Sequence, residues 1–465
     1  MHRLPRYAKY KDSGLPWVDE IPTHWQTRRN RFLFREVDQR SLGGKETHLS
    51  MSQIHGLVPS KSLSRKSLQS ENYAGGKLVE KYDLVLNRLK AHLGVFAQAK
   101  QAGVISPDYT VLRPKGEATV EYCESLFKTP IYVAEFRRRT KGIVEGFWRL
   151  YTDDFYNISA LLPPQEEQNQ IVAYLRAQDA HIARFIKAKR ELISLLNEQK
   201  LRIIDQAVTR GLNSSVALKP SKIEWLGEVP EHWVIKPLKR WVRLNSRTLG
   251  ENTPPDFEFR YLDIGSVKTG RLAKELERLR FANAPSRARR VLQRGDTIIS
   301  TVRTYLKAIW YVNEEADNLI ASTGFAVLTP GPEVEPEYLG YVIQSTGFVN
   351  RVTANSIGIA YPAIAETVLG RFPIAMPPTL EEQQAVLDYI KAESIPLDQA
   401  IEQALSEIKL IREYRTRQVT DIVTGQVDVR SWVPNPDDMI TEEDLVALGD
   451  DEEIDTDLEN ENGDD

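Results

Sequence analysis

The chain has 465 residues, 41% of them hydrophobic, and a formal net charge of −4. That length can bury two or three cores of ordinary domain size. No apolar run approaches the ~18 residues of a membrane span, and His2, Arg3, Arg6, Lys9 and Lys11 stand where a signal peptide needs an apolar core, so a folded cytoplasmic protein is expected. The single cysteine, Cys123, excludes an internal disulfide and a cysteine metal cluster and is expected to be a small buried thiol.

Residues 1–25 close with Trp17-Val18-Asp19-Glu20-Ile21-Pro22-Thr23-His24-Trp25, and this segment returns 208 residues later as Trp225-Leu226-Gly227-Glu228-Val229-Pro230-Glu231-His232-Trp233. The gap is too long for a solenoid repeat, so the chain reads as two copies of one unit, a pseudo-twofold object suited to a two-part target such as duplex DNA. The four tryptophans Trp17, Trp25, Trp225 and Trp233 are expected to anchor cores, and His24 and His232 to pack beside them.

In residues 26–160, short β-like runs at Leu84-Val85-Leu86, Val104-Ile105-Ser106 and Tyr109-Thr110-Val111-Leu112 precede a helical pattern around Tyr122 to Arg137. Residues 161–211 open with Pro163-Pro164-Gln165-Glu166-Glu167-Gln168 and continue for about 45 residues rich in helix formers, which predicts one long helix with its prolines and acids suitably placed at the start. Residues 212–233 form a linker and the repeated Trp segment. Residues 234–375 repeat the first globular pattern, with runs at Thr297-Ile298-Ile299-Ser300, Ala308-Ile309-Trp310-Tyr311-Val312 and Phe325-Ala326-Val327-Leu328 in matching places and a helical pattern around Tyr338 to Arg351. Residues 376–430 open with Pro377-Pro378-Thr379-Leu380-Glu381-Glu382-Gln383 and predict a second long helix, which Pro396 should kink or break. Each globular stretch thus reads as an α+β domain with a twisted sheet.

Leu397, Ile401, Ala404, Ile408, Ile411, Arg415, Gln418 and Ile422 follow the alternating spacing of a coiled-coil seam, and an offset of 215 places Ile182, Ile186, Lys189, Ile193, Leu196, Lys200, Ile203 and Ala207 on the matching face of the first helix. Stripes that narrow favour an antiparallel pair of helices; the alternative is that each helix packs on its own globular part. A pair about 65 Å long would outreach one turn of DNA, about 34 Å, and would act as a ruler between two reading domains.

From Ser431 onward there are 15 acidic residues and no Lys or Arg, so the remainder carries 61 basic against 50 acidic residues, about +11. A basic body with an acidic tail, residues 431–465, expected to be disordered, fits a polyanion binder; the tail either aids solubility or competes with DNA. Candidate DNA contacts follow the strands: Arg88, Lys90 and His92 in the first domain, and Arg303, Tyr305 and Lys307 in the second. Further along come the dense run Arg137, Arg138, Arg139 and Lys141 and its counterpart Arg351, Asn355 and Ser356. Arg and Asn can read base edges, while Lys, Ser and Thr can hold phosphates.

Catalytic motifs are missing: there is no Gly-rich phosphate loop, dinucleotide fingerprint or His-Glu-x-x-His. Thr253-Pro254-Pro255-Asp256 lacks the amide and aromatic of an adenine methyltransferase motif, and Pro107-Asp108 lacks an acidic-x-Lys partner. This favours a non-catalytic recognition subunit over two alternatives, a fused DNA-modifying enzyme with unrecognised motifs and a coiled-coil scaffold that binds only proteins.

The duplicated Ile/Val-Pro-x-His-Trp segments, the two Pro-Pro/Glu-Gln helix starts followed by apolar-x-x-Tyr-apolar patterns (Ile171 to Leu175, Val386 to Ile390), and the stretches from Gly103 to Tyr109 and from Ala321 to Phe325 together resemble the specificity subunits of type I restriction–modification enzymes over about residues 12 to 430. The resemblance implies two target-recognition domains, 26–160 and 234–375, each reading half of a split DNA site. It also implies two methyltransferase subunits docked on the helices and domains, methylating adenine N6 with S-adenosylmethionine, and restriction subunits using ATP and Mg, with no cofactor or metal in this chain. The acidic tail has no counterpart in that pattern.

Overall fold

The computed structural model describes residues 4–52, 56–62, 73–142, 148–359, 361–439 and 441–449. The chain divides into two compact units, and the first is built from two separated stretches of the sequence. The first takes the chain as far as Glu191 and resumes at Ala404; the second is Leu192–Gln403. Each unit therefore contains one globular domain, the start of one long helix and the end of the other.

In the first unit, strands Phe34–Val37, Tyr109–Pro114, Leu84–Asn87 and Phe96–Gln98 lie side by side in that order as an antiparallel sheet. The second unit repeats the order with Val242–Leu244, Phe325–Pro330, Thr297–Ser300 and Ile309–Tyr311. The inner strands Leu84–Asn87 and Thr297–Ser300 are buried at every residue, as continuous apolar runs require. At the head of each inner strand a buried aspartate takes an arginine: Arg113 of the neighbouring strand grips Asp83 with two hydrogen bonds of 2.9 Å, and Arg247, beyond the end of strand Val242–Leu244, and Thr329 both reach Asp296.

All six sequence-predicted β runs overlap observed strands, but one correspondence differs from expectation. The counterpart of Ile309–Tyr311 is Phe96–Gln98, whereas Gly103–Ile105 pairs outside the main sheet with Lys77–Val79. The second unit also carries an additional four-stranded sheet, Glu277–Arg280, Glu258–Leu262, Leu319–Ser322 and Ala288–Val291, with one parallel pair. Each predicted helical pattern resolves into two helices, Val120–Phe127 and Pro130–Arg139 in the first unit, Pro336–Gln344 and Thr346–Ala354 in the second. Thr129 and Ser345 break them, both with extended backbone; Pro130 then starts its helix at a position that needs no N–H donor. Cys123 is fully buried among Tyr122, Leu126 and Phe127, and burial pushes its thiol up to about 12, which makes it an inert core residue.

The long helices are Gln165–Arg210 and Leu380–Val423, of 46 and 44 residues. They pack together with the predicted seam facing inward: every seam position from Ile182 to Ala207 and from Leu397 to Ile422 is buried or half-buried, and the positions between them are largely exposed. The ion pairs of the seam fix the direction. In the first unit Arg415 binds Asp179 at 2.6 and 2.9 Å and Lys189 binds Glu407 at 2.5 Å; in the second, Lys200 binds Asp398 at 2.7 Å. Partners descend along one helix as they ascend along the other, which is antiparallel pairing. The expected break at Pro396 does not occur, and the helix runs through it unbroken. The carbonyl of Ala392 that loses its N–H donor lies on an exposed face, where water can replace the bond.

The acidic tail requires a correction up to Gly449. Trp432 packs edge-on against Tyr174 with centroids 5.3 Å apart, Asp438 pairs with His181 at 2.8 Å, and the short helix Glu442–Ala447 ends where Arg190 reaches the carbonyls of Ala447 and Gly449, both at 3.1 Å. Guanidinium donors on the last carbonyls of a helix are a favourable cap, so this segment is seated on the first unit rather than detached. Residues 450–465 lie outside the described residues.

Arg415 is a seam residue held by one carboxylate. Asp179→Ala should lower stability by about 1–2 kcal/mol, between the values for exposed and buried pairs. Adding Arg415→Met should restore most of that loss in a denaturant titration; a single variant as stable as wild type would refute the assignment.

Candidate nucleic-acid interface

Both domains are held to the helices by corresponding polar locks, with the carboxylate buried in the first and one-third exposed in the second. At the start of the first long helix, the Glu167 carboxylate accepts from the Tyr7 hydroxyl at 2.6 Å and the Trp25 indole at 3.0 Å, and pairs with His24 Nε2 at 2.7 Å. Burial, and then the Glu167 carboxylate, push the Tyr7 hydroxyl far above its ordinary range, so it remains a donor. Glu382 repeats the arrangement with the Trp233 indole at 2.9 Å and His232 at 3.0 Å. The adjacent glutamine ties the helix start to the loop before the domain's first well-formed helix. Gln168 accepts from the Thr119 amide and donates to the carbonyls of Glu117 and Pro163; Gln383 accepts from the Glu335 amide and donates to Glu333 and Pro377.

The other helix of each unit ends against the same tryptophan. Gly425 and Gly211 end their helices in left-handed conformation, φ +77° and +69°, and a Cβ at Gly425 would collide with Pro22, one at Gly211 would lie 3.3 Å from Trp233. The expectation that Trp25 and Trp233 are anchors is met, both being fully buried. The histidines pair with carboxylates and belong to the same lock.

The predicted DNA-contact residues converge at corresponding places in the two domains. In the first, strand Leu84–Asn87 leads into a turn in which the Asn87 carboxamide oxygen accepts from the amides of Leu89 and Lys90 at 3.2 and 3.3 Å. Arg88 donates to the Asp108 carbonyl at 2.9 Å, and its own carbonyl accepts from the Leu150 amide. His92 and Arg137 share one ring, Trp148, with His92 edge-on at 5.7 Å and the Arg137 guanidinium 5.9 Å from the centroid. The turn, the helix end at Arg137 to Arg139 and the return strand at Arg149, bridged to Lys141, thus form one surface.

The dense basic run is not a bare patch of positive charge. Arg138 and Arg139 both bind Glu135, at 2.8 and 2.5 Å, and Lys141 binds Asp154 at 2.8 Å. Burial alone would raise the Glu135 carboxyl; the two arginines outweigh it and hold the group below its ordinary value.

In the second domain, strand Thr297–Ser300 leads to Arg303 and Lys307, both left-handed at φ +50°, on either side of the one-turn helix Thr304–Leu306. Non-glycine residues in that conformation cost about 1–3 kcal/mol each and concentrate at functional sites. The Thr304 and Ser356 hydroxyls meet at 2.7 Å, tying the turn to the end of helix Thr346–Ala354, while Asn355 donates to the Arg351 carbonyl at 2.8 Å. Arg303 stacks on Tyr361 at 4.7 Å and Arg351 on Phe372 at 5.5 Å; Tyr305 is half exposed. Sequence reasoning missed Trp148 and Tyr361, the rings that receive Arg137 and Arg303. Their signal was present as an aromatic residue in the Gly-containing stretch shortly after each basic or polar helix end.

No family model matches the chain. Among curated proteins it is 26% identical over 306 residues to the type I restriction enzyme MjaVIII specificity subunit of Methanocaldococcus jannaschii, covering 63% of this chain and 68% of that protein. It is 24% identical over 179 residues to the HindI specificity subunit of Haemophilus influenzae, covering 36% of this chain and only 39% of that protein. A solved chain from a study of complex assembly and conformational transition of the type I R-M system matches the fold with a TM-score of 0.57 at 15% identity, covering 88% of this chain and 99% of that one. The duplicated sheet order and the helix pair make a two-domain, two-helix fold like that of the solved chain. In sequence and in fold the chain is similar to the specificity subunits of type I restriction enzymes.

Removing Glu167 leaves the buried Trp25 and Tyr7 donors without an acceptor. Glu167→Ala is expected to cost about 3 kcal/mol, and Glu382→Ala clearly less, since Glu382 is one-third exposed and has no tyrosine donor among the described residues. Equal losses in thermal melts of the two variants would contradict this ranking.

Proposed function

We propose that this chain is the DNA-recognition subunit of a type I restriction–modification system, in which each domain reads one half of a bipartite site. The observation that carries this reading is the duplication itself: two units with the same sheet order, the same helix-start lock and candidate contact residues at the same place after the inner strand. Two equivalent readers on one chain suit a split duplex target. The antiparallel helices set the unread spacer: at about 1.5 Å per residue, 46 residues extend roughly 69 Å, about two turns of DNA.

The chemistry belongs to partner chains in this reading. Two methyltransferase subunits dock on the helices and domains and transfer the methyl group of S-adenosylmethionine to adenine N6, and restriction subunits supply ATP- and Mg-dependent cleavage. The chain contributes position and sequence choice, and has no catalytic residue of its own. Arg88, Lys90, His92 and Arg137 serve the first half-site, and Arg303, Tyr305, Lys307 and Asn355 the second. The long helices span the boundaries drawn from the sequence, so the modular parts are residues 26–160 and 234–375, with the helices as the shared frame. The subunit works in the cytoplasm, where its DNA target lies.

Exchanging residues 26–160 for the matching domain of a relative should change one half of the methylated sequence and leave the other half intact. Genome-wide mapping of methylated adenines in cells carrying the chimera and its partner subunits reads this directly. A change in both halves would exclude modular reading.

A further inference from the structure

In the second unit, Ile357 and Ala363 face each other as an antiparallel bridge, and Ala363 also bridges to Val302, beside the turn that holds Arg303 and Lys307. Ile357 is 84% exposed, Ile359 is fully exposed and Tyr361 is 59% exposed. Gly358 permits the bend: its φ is +123°, and a Cβ there would lie 3.0 Å from the Tyr361 carbonyl oxygen. Single exposed aliphatics are ordinary, but two isoleucines and a tyrosine so close along the chain form an apolar patch that no part of the described chain covers.

Its surroundings are cationic. Arg303 lies over the Tyr361 ring, Lys307 closes the adjoining turn, and both hold a left-handed backbone that L side chains rarely adopt. The Thr304–Ser356 hydrogen bond fixes that turn to the helix behind it, so the strain is held in place. An apolar point flanked by positive charge complements a body whose exterior is anionic and whose interior is a stack of apolar faces. Duplex DNA is such a body, and aliphatic wedges inserted between base steps are a known way of opening it.

We infer that Ile359, supported by Ile357 and Tyr361, is a wedge that enters the base stack of the half-site read by the second unit while Arg303 and Lys307 hold the flanking phosphates. This rests on the DNA-recognition reading above. The wedge makes the unit sensitive to how easily a base step opens, which adds sequence choice at a position where no hydrogen bond reads a base. The corresponding connection in the first unit includes residues 143–147, which lie outside the described residues, so the inference concerns the second unit alone.

The test uses the full chain assembled with its methyltransferase subunits and duplexes carrying the mapped site. 2-Aminopurine is placed at successive steps of the second half-site, away from the methylated adenine. The wild type should raise fluorescence at one step. Ile359→Ser should abolish that rise and weaken cognate binding about tenfold, as expected for an aliphatic side chain that no longer leaves water, with binding to random duplex unchanged. Ile359→Leu should retain both signals, and an unchanged melting curve for each variant follows from the exposed position. Undiminished fluorescence and affinity in Ile359→Ser would overturn the wedge while leaving DNA recognition intact. A wild-type complex that does not distinguish the mapped site from a scrambled one would overturn the recognition reading and the wedge with it.

Discussion

The carboxylate at the start of each long helix is the constraint on which the architecture depends. A glutamate in the first helical turn already sits in the positive field of the unpaired amides. Glu167 turns that site into a junction by accepting the Trp25 indole and Tyr7 hydroxyl of a segment more than 140 residues earlier in the chain. With Gln168 binding the domain loop beside it, the helix start cannot rotate without leaving several buried donors unpaired. Gly425 presses the end of the opposite helix against the same Trp25. Trp233, Glu382, Gln383 and Gly211 repeat the set. In each unit a single indole thus joins the beginning of one rod to the end of the other.

The seam between the rods shows how duplication has been adapted. Lys200 and Arg415 occupy equivalent seam positions, yet their acids, Asp398 and Asp179, do not correspond: the residue equivalent to Asp398 would be Ala183, one turn from Asp179. The cation was retained and its counter-charge was met from the neighbouring turn. A longer, planar guanidinium reaching back with two hydrogen bonds replaces an ammonium held more directly opposite. Such polar seam positions cost stability relative to leucine, but they define register in a stripe whose other positions are mostly interchangeable aliphatic residues.

The repeat, both helices, the seam face and the inner strands were legible because each is written in periodicity or in exact recurrence of rare residues. Tryptophan, proline and histidine at fixed spacing do not recur by composition alone. The division of the chain into units was not legible: each core takes the end of a helix that belongs to the other repeat, and local sequence carries no mark of that exchange. The match of Val104 with Ile309 failed for a related reason, since β propensity identifies strands but not neighbours. The folded start of the acidic tail was hidden by its composition. Its attachment depends on Trp432, Asp438 and the carbonyls at the end of a six-residue helix, and Tyr174, Gln170, His181 and Arg190 of the first long helix supply the other half of these contacts.

Charge counting alone would have placed the interface at the run from Arg137 to Lys141, and the side-chain geometry redistributes that weight. Arg138, Arg139 and Lys141 already have carboxylate partners within the fold, which makes them the support of the helix end. Arg137, stacked with His92 against Trp148, and Arg303, stacked on Tyr361, present guanidinium groups backed by rings. Stacking on a ring spends a guanidinium's rotamer freedom in advance and fixes the orientation of its plane, which favours bidentate contact with a base edge or phosphate. The two domains reach this arrangement with different residues on the same scaffold: imidazole, arginine and tryptophan in one, strained arginine, lysine and tyrosine in the other. A shared frame with dissimilar tips is what reading two unlike half-sites requires.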